Sequence, residues 1–306
     1  MTAPPVLVAG GGGAVGSLLV DALRADGRSV LVVDPSVEDS SGPRVRGDIT
    51  APTGPLTTAL RAAGTVILAV PEPVAVAALP TLAPVLAPDT LLVETLSVKT
   101  PIAAAVHTHR PGRPAVGINP MFAPDLGWRA RPVALIRHCD GPAVTAFATA
   151  LTRWGAQVVE TGADEHDRIT AATQALTHAT ILAFGAALDR LDPPAAAAPT
   201  APPPHTTLRA LLARLTAGTA EVYHDIQAAN PYAATARRAL AEAVTELDLA
   251  VGAPAEFAAV LARGRRALGA GGPPARQLCA QLFAQLPPHP LPDGAPGAAA
   301  EDRSRP

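Results

Sequence analysis

Residues 6–23, VLVAGGGGAVGSLLVDAL, run from an apolar β-branched stretch through a glycine run into an amphipathic helical stretch. That order is the opening of a βαβ unit, and it commits the chain to a parallel sheet covered by helices. Gly11, Gly13 and Gly16 satisfy G-x-G-x-x-G in the context that gives the pattern meaning. The first glycine permits a tight turn, the second lets backbone approach a pyrophosphate, and the third packs helix on strand.

The same alternation continues. VLVAG, SVLVVD, TVILAV, TLLVET, PAVGIN, PVALIR and AQVVE read as strands separated by Ala/Leu-rich helical segments. After Asp164 the β-branched runs stop, and EHDRITAATQALTHATILAFGAALDRL has the three- and four-residue apolar spacing of one long helix. Two more helices are predicted, over residues 206–230 and 231–268. The expected architecture is an α/β Rossmann domain, doubly wound with a mainly parallel sheet, over residues 1–162, followed by an all-α domain over 163–284. A Pro/Ala-rich loop is expected at 191–205, and a disordered tail at 285–306, where Pro, Gly and charge mix without periodicity.

With 306 residues, 48% of them apolar, two domains are the natural division. A formal charge of -2 with scattered basic residues leaves no footprint for nucleic acid or an anionic membrane. Cys139 and Cys279 are far apart and lack metal-type spacing, which fits a reducing compartment and predicts no metal site. No unbroken apolar run reaches the length of a membrane span, so a soluble, cytoplasmic chain is expected.

A dinucleotide is the ligand this glycine pattern serves. Ala14 and Val15 begin the helix whose unpaired N–H groups face the phosphates. Asp34, at the end of the second strand, stands 18 residues past Gly16 and suits the ribose hydroxyls. Its carboxylate repels a 2′-phosphate, and no arginine follows directly, so NAD is favoured over NADP. Val70 and Pro71, at the end of LAVP, are expected on the nicotinamide side of the crevice.

ETLSVKT, GINPMFAPDLG, WGAQVVETGADEHDRITAATQALTHA and ARLTAGTAEVYHDIQAAN then follow in an order and spacing that resembles the prephenate dehydrogenase family. The resemblance covers roughly residues 5–270. It implies a Rossmann domain paired with a helical dimerisation domain, a homodimer, and NAD- or NADP-dependent oxidative decarboxylation of a cyclohexadienyl substrate. It further implies that Arg214 grips a substrate carboxylate, that His178 binds substrate, and that Ser97 hydrogen-bonds near the C4 substituent. Pro124 and Asp125 fall in the turn that faces the substrate side chain, and Lys99 takes a structural or electrostatic role. Each has a plainer reading: a surface arginine, a core histidine, a turn serine, a loop carboxylate. His166 reads as a helix-start residue, the other histidines lack motif support, and Tyr223 and Trp154 read as core packing.

Asn119 departs from the family, which has a histidine before PMF that draws off the 4-hydroxyl proton as hydride leaves C4. An amide carbonyl accepts a hydrogen bond but cannot take a proton at neutral pH, a loss of about 10²- to 10⁴-fold where base help is needed. If C4 carries an amine, the nitrogen lone pair expels the hydride and no base is required. Asn119 and Ser97 are therefore the expected catalytic pair for the 4-amino counterpart of prephenate, a step toward 4-aminophenylalanine and antibiotic-type metabolites. Two alternatives stay open: a prephenate or arogenate dehydrogenase of tyrosine biosynthesis, and an NAD-sensing regulator without activity.

Overall fold

The computed structural model describes residues 3–35, 42–192 and 200–286. Among them, eight strands form one sheet in the order β3-β2-β1-β4-β5-β6-β7-β8. The strands are β1 (Val6–Ala9), β2 (Val30–Val33), β3 (Arg44–Val45), β4 (Thr65–Leu68), β5 (Leu91–Glu94), β6 (Ala115–Pro120), β7 (Pro132–Cys139) and β8 (Gln157–Glu160). All neighbours are parallel except β6 and β7, so the sheet is mainly parallel as expected. The seven strands read from sequence are present; the two-residue β3 is additional, too short to leave a periodic signal.

The helices of this region are α1 (Ala14–Ala25), α2 (Gly54–Ala62), α3 (Glu72–Leu82), α4 (Thr100–His109) and α5 (Pro142–Arg153). Because the strands are covered on both faces, they are continuous apolar runs rather than alternating ones. Successive side chains enter opposite cores: Val6, Val8, Val93, Val116 and Ile118 pack in one, Leu7, Ala9, Leu92 and Ala115 in the other.

After β8 come α6 (Ala163–Thr170), a π-helical turn over Ala171–Ala175 and α7 (Leu176–Leu191). By length and composition alone this run could cross a membrane. Its first two turns carry Asp164, Glu165, His166, Asp167 and Arg168, however, and His166, Asp167 and Thr170 are buried in protein.

The predicted helix over 206–230 is two helices, α8 (Pro203–Thr216) and α9 (Ala220–Ala228). Gly218 lies between them, and a Cβ there would stand 2.6 Å from the Tyr223 ring. The predicted helix over 231–268 is also two, α10 (Ala233–Ala250) and α11 (Pro254–Leu268), interrupted at Gly252 and restarted by Pro254 at the first helical turn. A further helix, α12 (Gly272–Ala284), was not read, because its leading GGPP looks like a breaker. The expected loop at 191–205 is shortened: α7 includes Leu191, and Pro203 and Pro204 open α8, where their missing N–H groups cost nothing. Residues 193–199 and the tail from 287 lie outside the described residues.

Two compact units divide the chain, Met1–Ala179 with Gly218–Leu240, and Thr180–Ala217 with Ala241–Pro306. Secondary structure changes from sheet to helix at residues 162–163, while the first compact unit continues past that point and takes in α9.

At the C-terminal ends of β5 and β6 lies a buried charge cluster. Lys99 has no solvent exposure, and its Nζ donates to Glu94 Oε1 at 3.0 Å and Oε2 at 2.8 Å, and to the Ile118 carbonyl at 2.8 Å. His138 Nε2 lies 2.9 Å from Glu94 Oε1. Burial raises the Glu94 carboxyl, but the Lys99 and His138 interactions outweigh it and hold the group below the usual carboxylate range. Gly117 makes room for it, since a Cβ there would meet Glu94 Oε1 at 1.9 Å. Lys99→Ala is expected to lower stability by about 3–5 kcal/mol in urea denaturation, because it leaves Glu94 ionised and buried without its counter-ion.

Candidate active site

The order of strands reverses on either side of β1, and the crevice at such a switch point is where α/β folds hold ligands. Two cavities open there. One, about 420 Å³, is lined by Gly10, Gly13, Val33, Asp34, Asp48, Ile49, Ala69, Val70, Pro71 and Val74; the other, about 620 Å³, by Gly13, Ala14, Val15, Thr95, Ser97, Glu72 and Asp225. Both share Gly13, Ala69, Val70 and Pro71, so the groove passes from Asp34 across the start of α1 to Ser97.

Its glycine cradle is tighter than the motif alone implies. Gly10, outside the G-x-G-x-x-G set, takes φ +75°, and a Cβ there would stand 2.1 Å from the Ala69 carbonyl. Gly16 abuts the Gly10 carbonyl just as closely, which holds α1 against β1. Gly11 packs on Val32, and a Cβ on Gly12 would reach Asp34 Oδ2 at 3.0 Å. Helix α1 is capped by Gly13 with no side-chain cap and no acid in its first turn, so its positive end is left for an anion. Carboxylate, bare helix end and cradle fit a dinucleotide without a 2′-phosphate.

Ser97 and Glu72 line the far end of the groove. Glu72 is 6% exposed, its Oε2 is buried without a hydrogen-bond partner, and its backbone N–H donates to Asp225 Oδ2 at 3.4 Å. Burial pushes the Glu72 carboxyl up to about 8, helped by the charges of Asp225, Asp167 and Glu94 and opposed by Lys99. Sequence reasoning missed this residue; the signal was an acid placed directly after Pro71.

Asn119 is buried at the end of β6, on the same strand face as Gly117, and its Nδ2 lies 3.1 Å from His166 Nε2. His166 Nδ1 is 2.9 Å from Asp167 Oδ1. Asp167 in turn accepts the backbone N–H of Lys99 at 2.8 Å and of Thr100 at 2.7 Å. Burial raises the Asp167 carboxyl, yet the hydrogen bonds from His166, Thr100 and Lys99 bring it below its ordinary value. Asn230 donates to the Asp167 carbonyl at 2.8 Å and to Thr170 Oγ1 at 3.1 Å. His166 does stand in the first turn of α6, as read from the sequence, and it is in addition 2% exposed and joined to Asn119. His138, without a motif, belongs to the Glu94 cluster.

His178 lies half-buried on α7, edge-on to Tyr223 at 5.1 Å between ring centroids. Its Nδ1 is buried without a protein partner, and burial lowers its basicity, so a neutral imidazole faces whatever fills that space. Pro124 is half-buried and Asp125 exposed, on a single 3₁₀ turn (Pro124–Leu126) after β6. Arg214 is exposed on α8, in the second compact unit. Among the described residues no group of His, Cys, Asp and Glu could hold a metal ion.

Fold and groove define a Rossmann-type, dinucleotide-dependent oxidoreductase. The nucleotide-binding domain of prephenate dehydrogenase matches residues 19–134. A 4-amino-4-deoxyprephenate dehydrogenase of Streptomyces pristinaespiralis is 47% identical over 285 residues, covering 92% of this chain and 96% of that one. A T-protein of Enterobacter agglomerans is 33% identical over 59% of this chain and 44% of its own length. The crystal structure of prephenate dehydrogenase from Aquifex aeolicus, in complex with hydroxyphenyl propionate and NAD+, superposes with a TM-score of 0.67 at 15% identity, covering 87% of this chain and 97% of that one. The chain belongs to the prephenate dehydrogenase family.

Glu72 provides a pH test. The folded protein holds its proton up to about pH 8, whereas the unfolded chain releases it near 4.5. Stability contributed through this group therefore falls as pH rises across that window. Glu72→Gln, which cannot ionise, is expected to gain melting temperature over the native protein progressively from pH 5 to pH 8.5. Parallel melting curves at every pH would refute the assignment.

Proposed function

We propose that this chain is an NAD-dependent dehydrogenase that converts 4-amino-4-deoxyprephenate to 4-aminophenylpyruvate and CO₂. The single observation that carries the reading is Asn119: an amide, not a base, stands at the buried end of β6 where the family has its proton-accepting histidine. The relative from Streptomyces pristinaespiralis, which the chain matches over nearly its whole length, supports the same substrate.

NAD, when bound, accepts the hydride from C4. Gly11, Gly13, Ala14, Val15 and Gly16 would hold its pyrophosphate, Asp34 its adenine ribose, and Val70 and Pro71 would flank its nicotinamide. On the substrate, the C4 nitrogen lone pair forms a C=N bond as the hydride departs with its electron pair. Loss of CO₂ from C1 then returns electrons through the ring, neutralises the iminium and leaves an aromatic amine. No proton has to be removed in the hydride step when the amine is neutral. Asn119 accepts an N–H bond from the amine, and Ser97 hydrogen-bonds beside it. Arg214 is the proposed clamp for a substrate carboxylate, a role suited to a planar guanidinium. His178, Pro124 and Asp125 contact the substrate side chain. Transamination of the keto acid would yield 4-aminophenylalanine, a building block for antibiotic-type metabolites.

The protein acts as a soluble, cytoplasmic homodimer, with neither nucleic acid nor membrane as a partner. Supporting this, the second unit exposes large apolar side chains on three successive helices, including Val244, Leu247, Phe257, Leu261, Leu278 and Leu282. Exposed apolar side chains repeated along successive helices suit burial against a second copy of the chain. Sedimentation at micromolar concentration is expected to give the dimer mass, and Phe257→Asp with Leu261→Asp the monomer; a native monomer would exclude the homodimer.

The substrate is tested by NADH formation. The native protein is expected to prefer 4-amino-4-deoxyprephenate over prephenate by at least about 10²-fold, the low end of general-base help. Asn119→His is expected to gain activity on prephenate. Native turnover of prephenate equal to that of the amine would overturn the reading in favour of tyrosine biosynthesis.

A further inference from the structure

We infer that His166 is a positioning residue that sets which end of the Asn119 amide faces the substrate. Its consequence for turnover rests on the amine reading above, but its geometric basis does not.

Asp167 is an acceptor only. Both of its oxygens already receive backbone N–H groups, Oδ1 from Lys99 and Oδ2 from Thr100, and hydrogen bonds keep it ionised. The His166 Nδ1 atom, 2.9 Å from Oδ1, must therefore carry the hydrogen of that contact. In a neutral imidazole the remaining nitrogen, Nε2, then has a lone pair and no proton. It can only accept, so the Asn119 group 3.1 Å away is the amide NH₂. The Asn119 carbonyl oxygen is turned the other way and is free to accept from a ligand.

This orientation has a chemical use. A carbonyl that accepts an N–H of the C4 amine leaves the nitrogen lone pair unengaged, and that lone pair is what expels the hydride. With the amide reversed, its NH₂ would donate into the same lone pair and hold it back from the C=N bond. A free asparagine can rotate by 180° at little cost, so the choice has to come from its neighbour. His166 is positioned in turn by Asp167, whose place is set by the Lys99 and Thr100 backbone at the start of α4. The same contact occupies His166 Nε2, so His166 does not stand in as the missing base.

Two measurements decide it. In ¹⁵N-histidine NMR of the native protein, His166, identified by its absence in His166→Gln, is expected to show a protonated Nδ1 and an unprotonated Nε2. A protonated Nε2 would overturn the inference whatever the substrate is. In steady-state assays, His166→Phe is expected to lose roughly tenfold in kcat on the amine, the worth of one hydrogen bond, with KM for NAD unchanged. Activity on prephenate is expected to fall less, which narrows the amine preference. His166→Gln, which keeps an acceptor oxygen, is expected to retain more of that preference than His166→Phe and guards against misfolding of the Phe variant. An equal loss on both substrates would mark a merely structural role and refute the inference. Should the native protein use prephenate as readily as the amine, the substrate assignment fails, while the tautomer still decides the orientation of Asn119.

Discussion

An ammonium group with no access to water has to find its counter-charge inside the protein, and the C-terminal ends of β5 and β6 are arranged around that requirement at Lys99. Its donors reach both oxygens of Glu94 and the carbonyl of Ile118, the residue before Asn119. Glu94 needs the space that Gly117 leaves open, and it draws in His138 from β7. The backbone N–H of Lys99 also holds Asp167, on which His166 is oriented. The ion pair thus joins β5, β6 and β7 at the start of α4, and the backbone there holds Asp167 and through it His166, the hydrogen-bond partner of Asn119. In a low-dielectric interior such a network tolerates little displacement, because any group that loses its partner stays buried and unpaired.

The groove beside this network has two electrostatic halves. The bare N-terminus of α1, capped by glycine and free of acids in its first turn, offers partial positive charge. At the other end Glu72, Asp225 and Glu221 line the wall without a lysine or arginine among them. An oxidised dinucleotide matches that division, with an anionic pyrophosphate in the middle and a cationic ring at one end. Burial raises the proton affinity of Glu72, and this crowding of negative charge adds to it against the opposing charge of Lys99.

Much of the fold is legible in the chain because its signals are local. Apolar β-branched runs bounded by glycine and proline mark seven strands, and the glycine pattern with Asp34 marks one wall of the groove. Helix breaks are less legible. Gly218 looks tolerable within a helix until the Tyr223 ring is seen against it, and GGPP before α12 resembles a terminator although prolines suit the first turn of a helix. Gly10 escaped notice because the motif counts spacing, whereas its role comes from the close approach of the Ala69 carbonyl, just past the end of β4 and 59 residues away in the chain.

By itself the sequence determined the Rossmann architecture and the dinucleotide preference, since each depends on residue type and short-range order, and it marked Asn119 as a departure from the family pattern. What surrounds that amide was decided by tertiary structure. His166 and Asn119 are separated by 47 positions, and no periodicity relates them. They meet because α6 leaves β8 and brings Asp167 onto the start of α4. Hydrogen bonds between distant side chains depend on distances of a few tenths of an ångström, which only the packed chain defines.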